Sequence, residues 1–467
     1  MRTRALVACL IAISGFGSLG QCLAGPAERP LPDVAREAVS ELSSGQYARF
    51  FARFDEAMKA ALPEAKVQEL WKAITGQTGA FQSQIAARQE TAGAFDVVFV
   101  TCQFEKAPLD IKLVFNAERK LSGLFFSTAG IGNRPQEPKK PYPYREEEVT
   151  FENKEEPGLK LAGTLTFPGS GGPFPAVLLI SGSGAQNRNE EIMGHKPFLV
   201  LADHLTRRGI AVLRVDDRGV GGSSDGPPDA TSLDFAGDVL AGVTYLKSRK
   251  EIDPQRIGLI GHSEGGIIAP IVASKSSDVA FIVLMAGTGV NGREVLFEQG
   301  RLLAQAAGAS EEQIAANRKI QTTIFDVLNA TPDSETAEKQ IREALSGASP
   351  SVRDIVLGAQ LKMVLSQWFR HFLNYDPRLT LEKVRCPVLA LIGEKDLQVS
   401  PSQNLPEIEK ALTAAGNKDF KAVELPGLNH LFQTCKTGAV AEYGQIEETI
   451  APAALELISG WILGHAR

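Results

Sequence analysis

From Ala176 onward the chain repeats a pattern that leaves few folds open. Short apolar runs recur at Ala176–Ile180, Ile210–Val215, Ile257–Ile260, Phe281–Met285, Val388–Ile392 and Ala422–Leu425, with helical stretches between them. Each run is only four to six residues long and is closely followed by Gly, Ser or Asp. An unbroken apolar run of that length suits a parallel strand buried on both faces. Strands of this kind alternating with helices predict a doubly wound α/β sheet. Between the fourth and fifth runs lies an excursion, Gly287 to Leu379, without a strand pattern. Its amphipathic segments, among them Arg293–Ala307 and Val352–Leu373, are too extensive for a structureless loop. They predict an inserted helical cap over about 290–379.

The preceding part has a different rhythm. Val34 to Ile74 reads as helices, with apolar positions three and four residues apart. Strand-like runs follow at Asp96–Phe104, Leu109–Phe115 and Lys120–Ser127, joined by short turns, so a small antiparallel α+β domain is expected over 31–130. Four prolines (Pro135, Pro138, Pro141 and Pro143) mark residues 131–145 as a linker, leaving 146–467 for the doubly wound domain. At the start, Arg2 and Arg4 precede the uncharged run Ala5–Leu19 and the small-residue site Cys22-Leu23-Ala24. That is the layout of a secretory signal peptide over 1–24, and it implies a periplasmic or secreted protein with no membrane span after cleavage.

A formal charge of −6 and a pI near 5.7 argue against a nucleic-acid binder, which would carry a basic face. Five cysteines include two in the signal segment; Cys102, Cys386 and Cys435 remain, without zinc-ligand spacing. No metal and no organic cofactor is expected. Whether Cys386 and Cys435 pair is not fixed by their spacing, and small buried thiols are the simpler reading.

With 44 glycines in the chain, a match to G-x-S-x-G is not informative alone, and two occur: Gly222–Gly226 and Gly261–Gly265. Context separates them. Ser263 directly follows the run Ile257–Ile260 and precedes a helix-forming stretch, the strand–turn–helix setting of an exposed nucleophile. Ser224 lies several residues past its strand and runs into Pro227-Pro228, so a loop is expected there. A serine hydroxyl needs a base held in place by a third group. Of six histidines, His430 lies at the end of the last run; His195, His204, His262, His371 and His465 are less well placed. Asp396 closes the run Val388–Ile392, with Glu394 as second candidate. The order Ser263, Asp396, His430 is the one expected of an α/β-hydrolase. Backbone N–H groups of Glu264 and of Ser183, in the loop Ser181-Gly182-Ser183-Gly184, are the expected oxyanion donors. The Glu264 carboxylate is expected to cap a helix or face solvent, and Asp216-Asp217-Arg218 to form a charged turn pinning the next loop.

SGSGAQNRNEE, LRVDDRGVGGSS, GLIGHSEGG, GEKDLQV and LPGLNHLFQ together resemble a family of bacterial α/β-hydrolase carboxylesterases. Its members carry a small N-terminal domain of uncertain function. The resemblance implies Ser263, Asp396 and His430 as the triad, Ser183 and Glu264 at the oxyanion hole, and short-chain acyl esters as substrates. One departure is that Asn187 and Asn189 flank Arg188, where acidic residues are expected in the family. Two other functions are compatible with these residues: a serine peptidase or amidase on the same fold, and a binding protein without catalysis. Neither the residues that bind the natural ester nor the oligomeric state can be read from the sequence.

Overall fold

A computed structural model describes residues 29–92, 95–105, 108–128, 134–346 and 359–466; the expected signal peptide lies outside them. Its first sheet is an antiparallel meander of β1 (Phe81–Ala92), β2 (Phe95–Phe104), β3 (Pro108–Phe115) and β4 (Leu121–Thr128). Helices α1 (Leu31–Ser43), α2 (Tyr47–Ala52), α3 (Glu56–Ala61) and α4 (Glu64–Thr78) precede it. Leu42, Phe50, Phe54, Trp71, Phe104, Ile111 and Phe115 share one core. The strand β1 has no counterpart among the expected runs. Its segment Gln82-Ser83-Gln84 to Arg88-Gln89 is polar and poor in β-branched residues, so pairing with β2 along Phe81–Ala92 imposes the strand where propensity does not.

The second sheet has eight strands in the order β12-β11-β10-β9-β7-β8-β6-β5. The six expected runs appear as β7 (Phe174–Ile180), β8 (Ala211–Val215), β9 (Ile252–His262), β10 (Phe281–Met285), β11 (Val388–Gly393) and β12 (Phe420–Leu425). Neighbours among these six pair in parallel. Two strands absent from the expectation, β5 (Tyr144–Glu152) and β6 (Lys160–Pro168), extend the edge antiparallel. Tyr144 and Arg145, expected in the linker, therefore belong to a strand.

Both faces are covered, as the uninterrupted apolar strands require. On one face α6 (Ser232–Lys247), α7 (Gly265–Lys275) and α14 (Pro401–Ala414) pack over Leu178, Leu259, Leu284 and Ala390. On the other, α5 (Pro197–Arg207) and α15 (Pro452–His465) cover Leu179, Ile260, Val283 and Leu391. The neighbours Leu178 and Leu179 feed opposite cores, the period of two that makes each strand apolar throughout.

Between β10 and β11 stand α8 (Gly292–Ala306), α9 (Glu311–Ala330), α10 (Ser334–Ala344), α11 (Ala359–Val364), α12 (Gln367–Asn374) and α13 (Arg378–Leu381). Phe297, Ile324, Phe325, Ile341 and Phe369 give the inserted helices a core of their own. The expected single segment Val352–Leu373 lies partly outside the described residues, and its remainder is broken. Ser366 accepts the Phe369 N–H and caps a new helix, α12, at that point. Cys102, Cys386 and Cys435 are all free thiols, so the 386–435 bridge is not formed. Among the described residues no helix is long and apolar enough to cross a membrane.

Candidate active site

Three strand ends deliver the residues singled out in the sequence. Ser263 occupies the turn between β9 and α7 with φ +53°, a conformation that costs a non-glycine residue about 1–3 kcal/mol. The turn is tight enough to restrict its neighbours. A Cβ on Gly261 would meet the Gly265 carbonyl oxygen at 2.0 Å, and one on Gly265 would meet the Ile180 carbonyl oxygen at 2.2 Å. The two glycines thus allow the helix to fold back against the strand and lift the serine above the sheet.

Asp396 follows β11 and is 2 % exposed. Its Oδ1 accepts the N–H groups of Gln398 and Val399, each at 2.8 Å, which orients the other oxygen. That oxygen, Oδ2, lies 2.7 Å from Nδ1 of His430, on the loop after β12. Glu394, the other candidate acid, is exposed and accepts the Gly427 N–H at 2.7 Å, so it shapes the turn and does not reach the histidine. The His430 loop is internally braced: Asn429 Oδ1 accepts from both Leu431 and Gln433 N–H.

His430 comes next to Ser263 through an intermediary. The ring of His262, one residue before the serine, lies 4.9 Å from the His430 ring, and its Nε2 is 3.0 Å from the His430 carbonyl oxygen. Among the described residues His430 Nε2 and Ser263 Oγ have no protein partner and are not hydrogen-bonded to each other. Such contacts are often open before substrate is bound.

The loop after β7 approaches the serine closely, since a Cβ on Gly182 would lie 3.3 Å from Ser263 Cβ. The Gly182 N–H is already taken, donating to Glu190 Oε1 at 2.7 Å. The N–H groups of Ser183 and Glu264 have no acceptor among the described residues, which leaves two donors beside the serine. The loop is held from behind by Asp217, whose carboxylate accepts Ser181 Oγ–H at 2.8 Å and Gln186 N–H at 2.9 Å. Asp216 pairs with Arg188, and Arg218 with Asp238 and Glu156, so the charged turn does pin its surroundings.

Three carboxyl groups, of Asp217, Glu264 and Glu190, lie around these two donors. Burial pushes Asp217 up to about 8, and the nearby Glu264 and Glu190 push the same way. Burial also raises Glu264. These two are thereby favoured in the neutral form, and Glu190 faces the imidazole of His262. The Glu264 side chain neither caps α7 nor faces solvent, contrary to expectation. It is 4 % exposed, and its Oε1 accepts Ser232 Oγ–H at 2.6 Å and Trp368 Nε1–H at 2.8 Å. Trp368 belongs to α12, so one carboxyl ties the serine's turn to the inserted helices. The long chain separation between Glu264 and Trp368 hides this contact from local pattern.

The other histidines have structural partners. His195 meets Thr449, Tyr443 and Gln433; His204 meets Ser459; His465 meets Trp461; His371 packs on Tyr375 in the inserted helices. Ser224 is hydrogen-bonded to the β6 backbone at Lys160, away from this site. Beside the Gly182 loop lies a cavity of about 180 Å³, walled by Leu161, Ile180, Val215, Phe235 and Ile268 and reaching Glu264. Among the described residues no group of three His, Cys, Asp or Glu side chains is arranged to hold a metal ion.

Fold and site define the class of protein. Residues 177–442, more than half of the chain, match the model of the Alpha/beta hydrolase family, and the chain belongs to that family. Residues 35–124 match a second model, described as a protein of unknown function (DUF3887). Among individual relatives, Esterase EstD of Thermotoga maritima is 25% identical over 393 residues, covering 84% of this chain and 86% of that protein. An uncharacterized 31.7 kDa protein of Escherichia coli is 28% identical over 227 residues, covering 47% of this chain and 73% of its own. A solved structure of the Pyrococcus furiosus esterase Pf2001 aligns with a TM-score of 0.41 at 14% identity, covering 69% of this chain and 93% of that one.

Proposed function

We propose that the protein is an exported serine carboxylesterase acting on short-chain acyl esters. The observation that carries this reading is the Asp396–His430 pair standing beside a serine held at positive φ on the turn between β9 and α7. His430 takes the proton from Ser263 as the hydroxyl oxygen attacks the ester carbonyl. Asp396 fixes the ring orientation and stabilises the imidazolium that forms. The amides of Ser183 and Glu264 receive the charge that develops on the carbonyl oxygen. Collapse of the intermediate passes the proton to the departing alcohol and leaves Ser263 acylated. Water, deprotonated by His430, then releases the acid and restores the serine.

Two points support an ester with a small acyl group. The Thermotoga maritima relative bears the name esterase. The cavity beside the Gly182 loop is apolar on most of its wall and, at about 180 Å³, suits a chain of a few carbons. Export rests on the charged and apolar pattern of residues 2–24, and a periplasmic product lacking them is the expected result of N-terminal sequencing.

Labelling with a fluorophosphonate probe, followed by sequencing of the modified peptide, tests the nucleophile and is expected to mark Ser263. A series of p-nitrophenyl esters set against aminoacyl anilides tests the bond cleaved. Faster turnover of the anilides by a wide margin would replace the esterase reading with a peptidase or amidase. A chain inert to both substrates and probe would be a binding protein.

A further inference from the structure

We propose that Glu190 and His262 form a buried ion pair that acts as a positioning clamp, holding the oxyanion loop, the nucleophile's turn and the loop of His430 in one register. The inference rests on the serine-esterase reading and adds two residues to it. Glu190 lies on the long loop between β7 and α5, far in sequence from β9 and β12, yet its Oε1 meets two of these three segments. It accepts the Gly182 N–H at 2.7 Å and lies 2.9 Å from His262 Nδ1. The opposite ring nitrogen of His262, Nε2, completes the set at 3.0 Å from the His430 carbonyl oxygen.

The protons in this chain of contacts can be counted. A carbonyl oxygen only accepts, so His262 Nε2 carries a hydrogen. Glu190 Oε1 already accepts the Gly182 N–H, and as a carboxylate it also accepts from Nδ1, which then carries a hydrogen too. The ring is an imidazolium and the pair is charged, which gives two charge-assisted hydrogen bonds that are stronger than neutral ones. Burial alone would push His262 down, but the Glu190 carboxylate, the His430 carbonyl and the more distant Asp396 hold it above the usual histidine range. The groups facing the pair are Gly182 and Asp217 on the oxyanion side, and His430, Asp396 and the Phe432 ring on the other.

Glu190 is also placed at a cost. It is 4 % exposed, sits at φ +51°, and its Oε2 is buried without a hydrogen-bond partner. A strained residue with a half-unsatisfied buried carboxylate needs an opposite charge to persist, and His262 supplies it. Neither residue reaches Ser263 Oγ or the substrate carbonyl; both act through the groups they hold.

The test uses the full chain and variants that separate charge from shape. Glu190→Gln keeps an acceptor for Gly182 but removes the negative charge. His262→Gln keeps a donor toward the His430 carbonyl and loses Glu190. With p-nitrophenyl acetate, kcat is expected to fall roughly 10–100-fold in each variant with KM nearly unchanged, as for small misplacements of catalytic groups. Phosphonylation of Ser263 by the fluorophosphonate probe is expected to slow in parallel, while urea unfolding shows a cooperative native fold. A folded Glu190→Gln chain labelled at the wild-type rate overturns the clamp. For variants that do not fold, ¹⁵N spectra of the histidine rings in the unaltered chain decide: His262 is expected to stay doubly protonated above the pH at which an ordinary histidine loses its proton, and a neutral ring there overturns the ion pair. Failure of the unaltered chain to label at Ser263 would instead remove the esterase reading itself.

Discussion

The five-residue pattern G-x-S-x-G occurs twice in this chain, and the two copies are built for opposite ends. In Gly222–Gly226 both serine hydroxyls are consumed by backbone. Ser223 Oγ accepts the Ala162 N–H and donates to the Asp216 carbonyl, and Ser224 Oγ does the same with the two backbone groups of Lys160. That segment seals the edge of β6. In Gly261–Gly265 the serine sits at positive φ, its hydroxyl without a partner among the described residues, under glycines that no side chain can replace without striking backbone. An identical pattern becomes a fastening in one place and an unbonded, half-buried hydroxyl in the other. What differs is whether a strand end or a strand edge lies next to it.

Substitutions at the two copies can break or sharpen this contrast. The largest effect is expected from Ser263→Ala, which should lower p-nitrophenyl acetate turnover by about 10⁴-fold or more and abolish fluorophosphonate labelling. Activity left intact would mean that neither copy supplies a nucleophile. Asp396→Asn should cost roughly 10³–10⁴-fold in kcat while labelling persists slowly, because the base loses its orienting acceptor and the serine stays.

A stability comparison comes next. In Gly265→Ala the new Cβ would lie 2.2 Å from the Ile180 carbonyl oxygen, and a loss of about 3 kcal/mol is expected from urea unfolding. The equivalent change at Gly226 meets a side chain and not backbone, Arg218 Cδ at 2.8 Å; Asp238 and Glu156 hold that side chain, so about 1–2 kcal/mol is expected, less than at Gly265. Equal costs at the two glycines would contradict the distinction.

Asp217 follows β8, the strand leading into the first copy, and holds the loop facing the second. With its carboxyl raised to about 8, the native state keeps a proton that the unfolded chain loses above about pH 4. Its contribution is therefore full below that point and is lost as pH rises through 8. Asp217→Asn imitates the protonated form, so its urea midpoint should gain on that of the unaltered chain between pH 5 and pH 9. The smallest effect is reserved for Ser224→Ala: about 1 kcal/mol of stability for its bonds to Lys160, and no change in kcat.

Much of the site was legible because it sits where strands end. Ser263, Asp396 and His430 each follow an apolar run, and composition alone marks such runs. The antiparallel edge was not legible: β5 holds three consecutive glutamates, Glu146, Glu147 and Glu148, and few apolar residues, and β6 carries Thr164 and Thr166 inside a buried segment. The roles of Glu190, His262 and the Glu264 side chain were not legible for another reason. Glu190 and His262 acquire their meaning only from contacts across 72 residues, and Glu264 from one across 104. The Glu264 carboxyl reads as a cap or a solvated group because sequence shows composition and not burial.

Arg134 has a practical consequence for anyone cutting this chain. It donates to the carbonyls of Met193, Gly194, Gly444 and Ile446, and two residues on Gln136 accepts from Thr449 and Ile450 and donates back to Ile450. These carbonyls and amides flank the segment that braces the His430 loop through Gln433 and Tyr443. An expression fragment begun at Tyr144, where the larger sheet starts, would discard that fastening and leave seven backbone groups to water. A fragment meant to keep the candidate active site intact should begin upstream of Arg134, inside the stretch that looks like a spacer.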